Sequence, residues 1–287
     1  MTDICIARLQ DCITHYQTTI PELGVFAPPN KTDSLASLID TYAACYPLLE
    51  RAMWSDSSDF ETLLDCYQSL FREQDALIRR QAQDAGVADA RYHFIVSIPV
   101  ADRPAHLRTC LESIYQACRC FGYGGRKAGV YTHIKIVIAE DSREPDSIRR
   151  HIELSDEYRR KGLQVFHFGQ DEQYQLMMAI PDDTRNRLGQ VLTTQPGERF
   201  YLKGQAANRN LSILKCLQLT EHRDRTLYYF VDSDESFCAN RLTQAGEEAV
   251  YALNYFYYID RIFRTTDTLA LTGRMVGDPP VSCLLYT

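Results

Sequence analysis

Two textures divide the chain near residue 90. Up to that point apolar residues recur three and four positions apart, the spacing of one helix face. Ile6, Leu9 and Ile13 form a first stripe, and Leu35, Leu38, Ile39 and Tyr42 form a second. Pro28-Pro29-Asn30 separates the two, because proline cannot continue a helix and biases the residue before it toward extended backbone. Ser58-Asp-Phe-Glu61 has the spacing of a capping box and predicts a third helix, with Leu63, Tyr67, Leu70 and Phe71 on its buried side. Methionines and aromatic residues here, the sole tryptophan Trp54 included, belong to a core or an interface. Residues 1–90 therefore read as a helical segment without chemistry of its own, whose helices are the place for contacts between copies of the chain.

From residue 91 short β-rich runs alternate with helical stripes. His93-Phe-Ile-Val-Ser-Ile98 is a strand stopped by Pro99, and Ala105 to Cys118 is a helix with Leu107, Leu111, Ile114 and Tyr115 on one face. After the glycine-rich Gly122-Tyr-Gly-Gly125 comes a strand, Ile134 to Ile138, running into Glu140-Asp141-Ser142. A helix follows from about Pro145, and then a strand from Leu163 to Phe168. Thr226 to Val231 is another apolar strand, and Leu269-Ala-Leu-Thr-Gly273 reads as a further one before a turn at Gly277-Asp-Pro-Pro280. This alternation predicts an α/β domain over residues 91–287, with a mainly parallel sheet, right-handed crossovers and ligands at the carboxyl ends of the strands.

Composition narrows the function classes. With 31 basic and 38 acidic residues the net charge is −7, which argues against a dedicated nucleic-acid binder, since displacing counterions needs a basic surface. No apolar run approaches the ~20 residues of a membrane-spanning helix, and no basic region precedes an apolar stretch at the N-terminus. The ten cysteines are scattered through apolar patterns, so they read as reduced, mostly buried thiols in a cytoplasmic protein. The sequons at Asn30 and Asn210 are chance matches in that compartment.

The chemistry concentrates where Thr226-Leu-Tyr-Tyr-Phe-Val231 runs into Asp232-Ser233-Asp234-Glu235. Three carboxylates in four positions repel one another unless a cation relieves them, which points to a divalent ion or a cation-bound phosphate. A helix N-cap cluster would use only Asp232 or Ser233.

Four landmarks in order carry a family resemblance. They are Val96-Ser-Ile-Pro-Val-Ala-Asp-Arg-Pro104, Val137-Ile-Ala-Glu-Asp-Ser142, Gly204-Gln-Ala-Ala-Asn-Arg-Asn210 and Phe230-Val-Asp-Ser-Asp234. Over residues 93–236 the chain resembles the family-two-like glycosyltransferases of the GT-A fold. The resemblance implies a GT-A-like sheet flanked by helices, a nucleotide-diphospho-sugar donor, in the first place a UDP-sugar, and Mn²⁺ or Mg²⁺. It implies that Pro99, Ala101 and Asp102 form the loop beneath the nucleobase and that Asp141 accepts the imino N–H of uracil. Glu140 stands where the family has an aspartate with a ribose or support role. Arg209 would face the diphosphate or the nucleotide edge, with a solvated helix arginine as the plain alternative, and Lys203 would assist the phosphates. Asp232, Ser233 and Asp234 would form the clamp, Asp234 through the cation and Asp232 through the ribose or the same cation.

Two departures qualify that picture. No histidine follows His222, so the additional metal ligand common in retaining relatives is missing, and inversion by direct displacement is expected. An inverting enzyme needs a base for the hydroxyl acceptor, and Asp260, Asp267 and Asp278 are the aspartates left after the cluster. Asp278 is the best placed of these, although Pro279 and Pro280 suit a plain surface turn equally. The tyrosine-rich stretch from Tyr251 to Tyr258 serves a sugar platform or the core. The other reading of the whole is a nucleotide-sugar-binding protein that does not transfer.

Overall fold

A computed structural model describes residues 2–26, 33–55, 59–193, 195 and 197–273. The first three helices are α1 (Thr2–Tyr16), α2 (Leu35–Met53) and α3 (Phe60–Asp84). Helix α3 starts one residue later than the capping-box reading: Asp59 is the N-cap, and its carboxylate accepts from the Thr62 amide and hydroxyl. Ser58 and Pro28-Pro29-Asn30 lie outside the described residues. Trp54 departs from the core expectation, being 51% exposed at the end of α2.

The α/β part follows the predicted alternation. Strand β1 (His93–Val100) leads into α4 (Pro104–Phe121), then a small hairpin of β2 (Arg126–Lys127) and β3 (Val130–Tyr131). Strand β4 (Ile134–Glu140), α5 (Pro145–Arg160) and β5 (Gln164–Phe168) come next. Helices α6 (Gln170–Met178), α7 (Asp182–Leu192) and α8 (Gly204–Gln218) precede β6 (Thr226–Phe230). Strands β1, β4, β5 and β6 form one wholly parallel sheet in the order β5-β4-β1-β6. The chain thus steps outward from β1 on one side and returns to its other side for β6. A strand order that reverses direction in this way leaves a crevice at the carboxyl ends of the two strands beside the switch.

Alternating residues of the sheet feed two cores. Phe94, Val96, Ile98, Ile134, Ile136 and Ile138 pack with Leu107, Leu111, Ile114 and Tyr158 of α4 and α5. Ile95 and Val137 point the other way, with Phe168, Met177, Phe200 and Leu211 beside α6 and α8. Helices therefore cover both faces, as a parallel sheet requires.

After β6 the chain forms a hairpin of β7 (Ala239–Thr243) and β8 (Gly246–Val250), which the hydrophobic pattern does not predict, and then α9 (Tyr255–Thr265). The tyrosine-rich stretch resolves in favour of packing: Phe256 and Tyr257 are buried, with ring contacts to Phe94, Phe237, Tyr46 and Phe71. Residues 267–273 form no strand, and Leu269 is almost fully exposed, so the expected Leu269–Gly273 strand is not there. The first core includes Leu9, Tyr42, Tyr46, Tyr67 and Phe71 together with the sheet residues, so α1 to α3 share their burial with the α/β part. Among the described residues no helix is long and apolar enough to cross a membrane.

Phe71 measures that sharing. Its ring stacks on Tyr46 at 3.8 Å and meets Phe121 and Tyr257 edge-on. Phe71→Ala should lower the unfolding free energy by roughly 3–5 kcal/mol, the usual cost of emptying an aromatic core position. Urea denaturation followed by circular dichroism measures it; a loss below about 1 kcal/mol would mean that α3 does not hold the common core.

Candidate functional site

Backbone direction in β1 creates the site. The Val231 amide donates to the Ser97 carbonyl at 3.1 Å and the Asp141 amide to the Val100 carbonyl at 2.8 Å. Odd-numbered backbone groups of β1 therefore face β6 and even-numbered ones face β4. Pairing between β1 and β6 ends at Ser97 with Phe230, whereas β1 and β4 stay paired to Val100 with Glu140. Pro99, which has no N–H to give, faces the side where β6 has already turned away, so its presence in a central strand forfeits no ladder bond. Beyond Ser97 the two strands part around an open cleft of about 510 Å³.

Six residues singled out in the sequence line this cleft: Pro99, Ala101, Asp141, Asp232, Ser233 and Asp234. Val100, Arg103, Gln205 and Asn208 complete the lining. Two helices begin at its rim. Helix α4 opens after Arg103 and α8 after Lys203, and neither has a side-chain cap or an acidic residue in its first turn. Their free amides and helix dipoles thus give the cleft positive potential opposite its carboxylates.

Each acidic residue has a distinct setting. Arg209 of α8 bonds directly to Asp232, a pair slightly less than half exposed on both sides. Asp234 is more exposed, and its ionic partner among the described residues is Arg103 at 3.9 Å. The Glu235 side chain accepts from the Asp232 amide at 3.3 Å, and partial burial beside the two aspartates raises its carboxyl above the ordinary value. Asp141 accepts from Lys203 Nζ at 2.5 Å, with the lysine side chain fully buried and the carboxylate 13% exposed. Burial lifts the Asp141 carboxyl and lowers the Lys203 ammonium, each partly offset by the other's charge. Asn208 donates its amide N–H to the Ala139 carbonyl at 2.9 Å, while its Oδ1 is buried without a hydrogen-bond partner among the described residues. A buried acceptor without a partner, on a residue of the cleft wall, is suited to an N–H or O–H that reaches it.

Glu140 takes the support alternative of its expected role, and the Asp102 carboxylate bonds to the protein. Glu140 does not line the cleft; it is 1% exposed and turned inward, bonding His151 Nδ1 at 2.7 Å, His167 Nε2 at 3.1 Å and the Ser142 amide at 2.8 Å. Burial alone would raise its carboxyl, but these bonds outweigh it and hold the group well below the usual carboxylate range. Asp102 likewise turns to the protein. Its backbone sits in the left-handed region at φ 50°, and its carboxylate accepts the Arg143 and Glu144 amides, latching the β1–α4 loop to the β4–α5 loop. Lys203 meets Asp141 rather than an open phosphate position. Among the candidate bases, Asp260 is fully buried at the opposite end of β1, bonding the Tyr92 amide and Arg264. Asp267 lies in the irregular stretch after α9, and Asp278 is outside the described residues.

For a divalent cation the protein offers part of a shell. Among the described residues no three His, Cys, Asp or Glu side chains gather as a metal cage. Asp232 and Asp234 supply hard carboxylate oxygens, which fits Mg²⁺ or Mn²⁺ arriving with phosphate oxygens and water to complete its coordination.

Comparison with protein-family models, with curated proteins and with solved structures found no match to this chain. The case for function therefore stands on the cleft. Sequence reasoning missed Arg103 and Asn208 although both fall inside the landmarks, because nothing in a single sequence tells which side of a loop or helix faces a ligand. His151 and His167 gave no signal at all, since their partner is reached only through the fold.

Glu140 provides a test of the support role. Because its folded-state carboxyl lies below the ordinary value of 4.5, its contribution to stability is complete above that pH and is lost as pH falls below it. Glu140→Gln should therefore cost roughly 1–3 kcal/mol at neutral pH, the range for hydrogen bonds to a charged group. The gap from wild type should narrow as the medium is acidified through the carboxylate range. Urea titrations of both proteins across pH measure it; a gap independent of pH would place the stabilisation elsewhere.

Proposed function

We propose that the cleft binds the diphosphate and nucleoside of a nucleotide-sugar, a UDP-sugar in the first instance, as the donor site of a metal-dependent glycosyltransferase of the GT-A type. One observation carries this reading: the ends of β1, β4 and β6 bring an acidic pair, the Asp141 carboxylate and two uncapped helix starts to a single opening. Helix N-termini favour phosphate, and the carboxylates favour a cation that phosphate also needs. The two signs of charge are thus satisfied together by a cation-bound diphosphate and by neither ion alone.

In this reading Asp232 and Asp234 hold the cation, and the starts of α4 and α8 with Arg103 face the phosphates. Asp141 and the unpartnered Asn208 Oδ1 serve N–H and O–H donors of the nucleoside. When bound, the cation neutralises the charge that develops on the departing nucleoside diphosphate. Transfer with inversion would proceed by attack of an acceptor hydroxyl on the anomeric carbon as the bond to the diphosphate oxygen breaks, the nucleoside diphosphate leaving and the hydroxyl proton passing to water.

A second reading comes from the carboxylates. Asp141 is paired with Lys203 and Asp232 with Arg209, while Asp260 is buried far from the opening. Among the described residues no carboxylate after the acidic cluster reaches the cleft as a base for an acceptor. A protein that holds the donor without transferring it accounts for that arrangement.

Calorimetry with UDP and Mn²⁺ tests both readings at their common point. Binding should be saturable and lost with chelator, and Asp234→Ala should weaken it at least about tenfold without lowering the melting temperature, since each 1.4 kcal/mol is a factor of ten. Equal UDP affinity in wild type and variant with Mn²⁺ present, or wild-type affinity unchanged by chelator, would sink the clamp. Acceptor-stimulated release of UDP from a UDP-sugar then separates transferase from binding protein.

A further inference from the structure

Lys203 is an unusual cation beside a binding cleft, because its side chain has no exposed surface and does not line the opening. Its side chain is fully buried, lies over the Phe200 ring at 4.8 Å and ends on Asp141 Oδ1. It also precedes Gly204, whose φ of 82° turns the chain into α8, so its backbone is held at the positive end of a helix. A lysine there gains nothing from the helix dipole, and its one ionic partner among the described residues is the aspartate that lines the cleft.

We propose that Lys203 is a positioning residue that sets base specificity: by keeping Asp141 ionised and occupying Oδ1, it leaves the cleft a single acceptor-only oxygen, which selects a nucleobase edge carrying a ring N–H. The inference rests on the nucleotide-sugar reading. An ionised carboxylate accepts but cannot donate, whereas a protonated one does both. Uracil presents a ring N–H at N3; cytosine presents a bare acceptor nitrogen there and would meet the carboxylate lone pair to lone pair. A site built to bond one hydrogen rejects the analogue lacking it far more strongly than shape alone can.

The other charges around Asp141 do not substitute for the lysine. Glu140 beside it opposes ionisation, and Arg143, in the loop after β4, assists from the rim. Across the cleft stand Asp232 and Asp234, both already beside arginines, and Arg103. Without the ammonium, a desolvated carboxyl flanked by an anion takes up a proton, becomes a donor as well as an acceptor, and accommodates either pyrimidine.

The test is UDP and CDP affinity, each with Mn²⁺, for wild type, Lys203→Met and Lys203→Arg at about pH 6 and about pH 8, a span that a raised carboxyl pKa can enter. Wild type should prefer UDP by at least about tenfold at both pH values. Lys203→Met should bring the ratio near unity at the lower pH and recover UDP preference at the higher one, as Asp141 loses its proton. Lys203→Arg, which keeps the charge, should stay close to wild type. Lys203→Gln, polar but uncharged, is the companion variant should the methionine destabilise the fold, and it should show the same pH pattern. A variant that retains full preference at the lower pH, or that weakens UDP and CDP equally at both, would overturn the proposal. Wild type that binds UDP without discriminating against CDP would overturn it while leaving the donor reading intact. Wild type that binds neither nucleotide would remove the donor reading itself.

Discussion

The early end of pairing between β1 and β6 is the constraint on which the cleft depends. The two strands are bonded up to Ser97 and Phe230 and no further, while β4 accompanies β1 to Val100. Had β6 continued, its next backbone groups would have met Pro99, which cannot donate. The proline thus works against a longer ladder on one side while costing nothing on the side of β4. The splay releases Asp232, Ser233 and Asp234 from the sheet and directs the loop after β1 across from them. The strand order β5-β4-β1-β6 puts this opening at the reversal of the sheet, where helices leave in opposite directions and turn their N-termini toward the same space.

Charge balance in the opening is a consequence of that geometry. The described acidic side chains lining the cleft each have a basic neighbour, Lys203 for Asp141, Arg209 for Asp232 and Arg103 at longer range for Asp234. The three pairs differ in solvation, and so in what they can exchange. The buried Lys203 pair is fixed, because breaking it strands an uncompensated charge. The half-exposed Arg209 pair and the loose Arg103 pair lose little when a ligand rearranges them. Water-accessible pairs at the acidic end therefore remain open to a cation and phosphates, and the sealed pair at the other end holds one oxygen in a set orientation.

Much of this architecture was legible in the sequence where burial alone decides. The strand cores at Phe94 to Ile98 and Ile134 to Ile138, the helix stripe of Leu107, Leu111 and Ile114, and Pro145 at the start of α5 all stand where the pattern puts them. The readings that the sequence left undecided are those in which a polar side chain had to choose between ligand and protein. Glu140 and Asp102 look like ligand contacts by position, yet two histidines and two backbone amides from other elements claim them. Nothing local encodes those partners. The strand expected at Leu269–Gly273 did not form, since an apolar alternation makes a strand only where a neighbour offers an edge. The β7–β8 hairpin escaped notice because its strands are mostly exposed and carry little apolar periodicity; the positive φ of Gly246 beside its turn was the available hint.

The helical first segment bears on the cleft through the residues C-terminal to the acidic loop. Val231 and Phe237 bracket residues 232 to 236, and both are 3% exposed. The Phe237 amide donates to Ser113 Oγ of α4 at 3.0 Å, and its ring stacks on Phe256 of α9 at 5.5 Å. Helix α9 in turn packs its next residue, Tyr257, against Tyr46 and Phe71 of α2 and α3. A five-residue loop anchored at both ends by buried side chains has little freedom to redirect its carboxylates. The position of Asp234 is therefore set from two sides, by the parallel sheet that delivers Val231 and by an aromatic chain that runs back through α9 to the first three helices. This is the physical reason for the aromatic residues after the acidic cluster: they hold the loop that carries it.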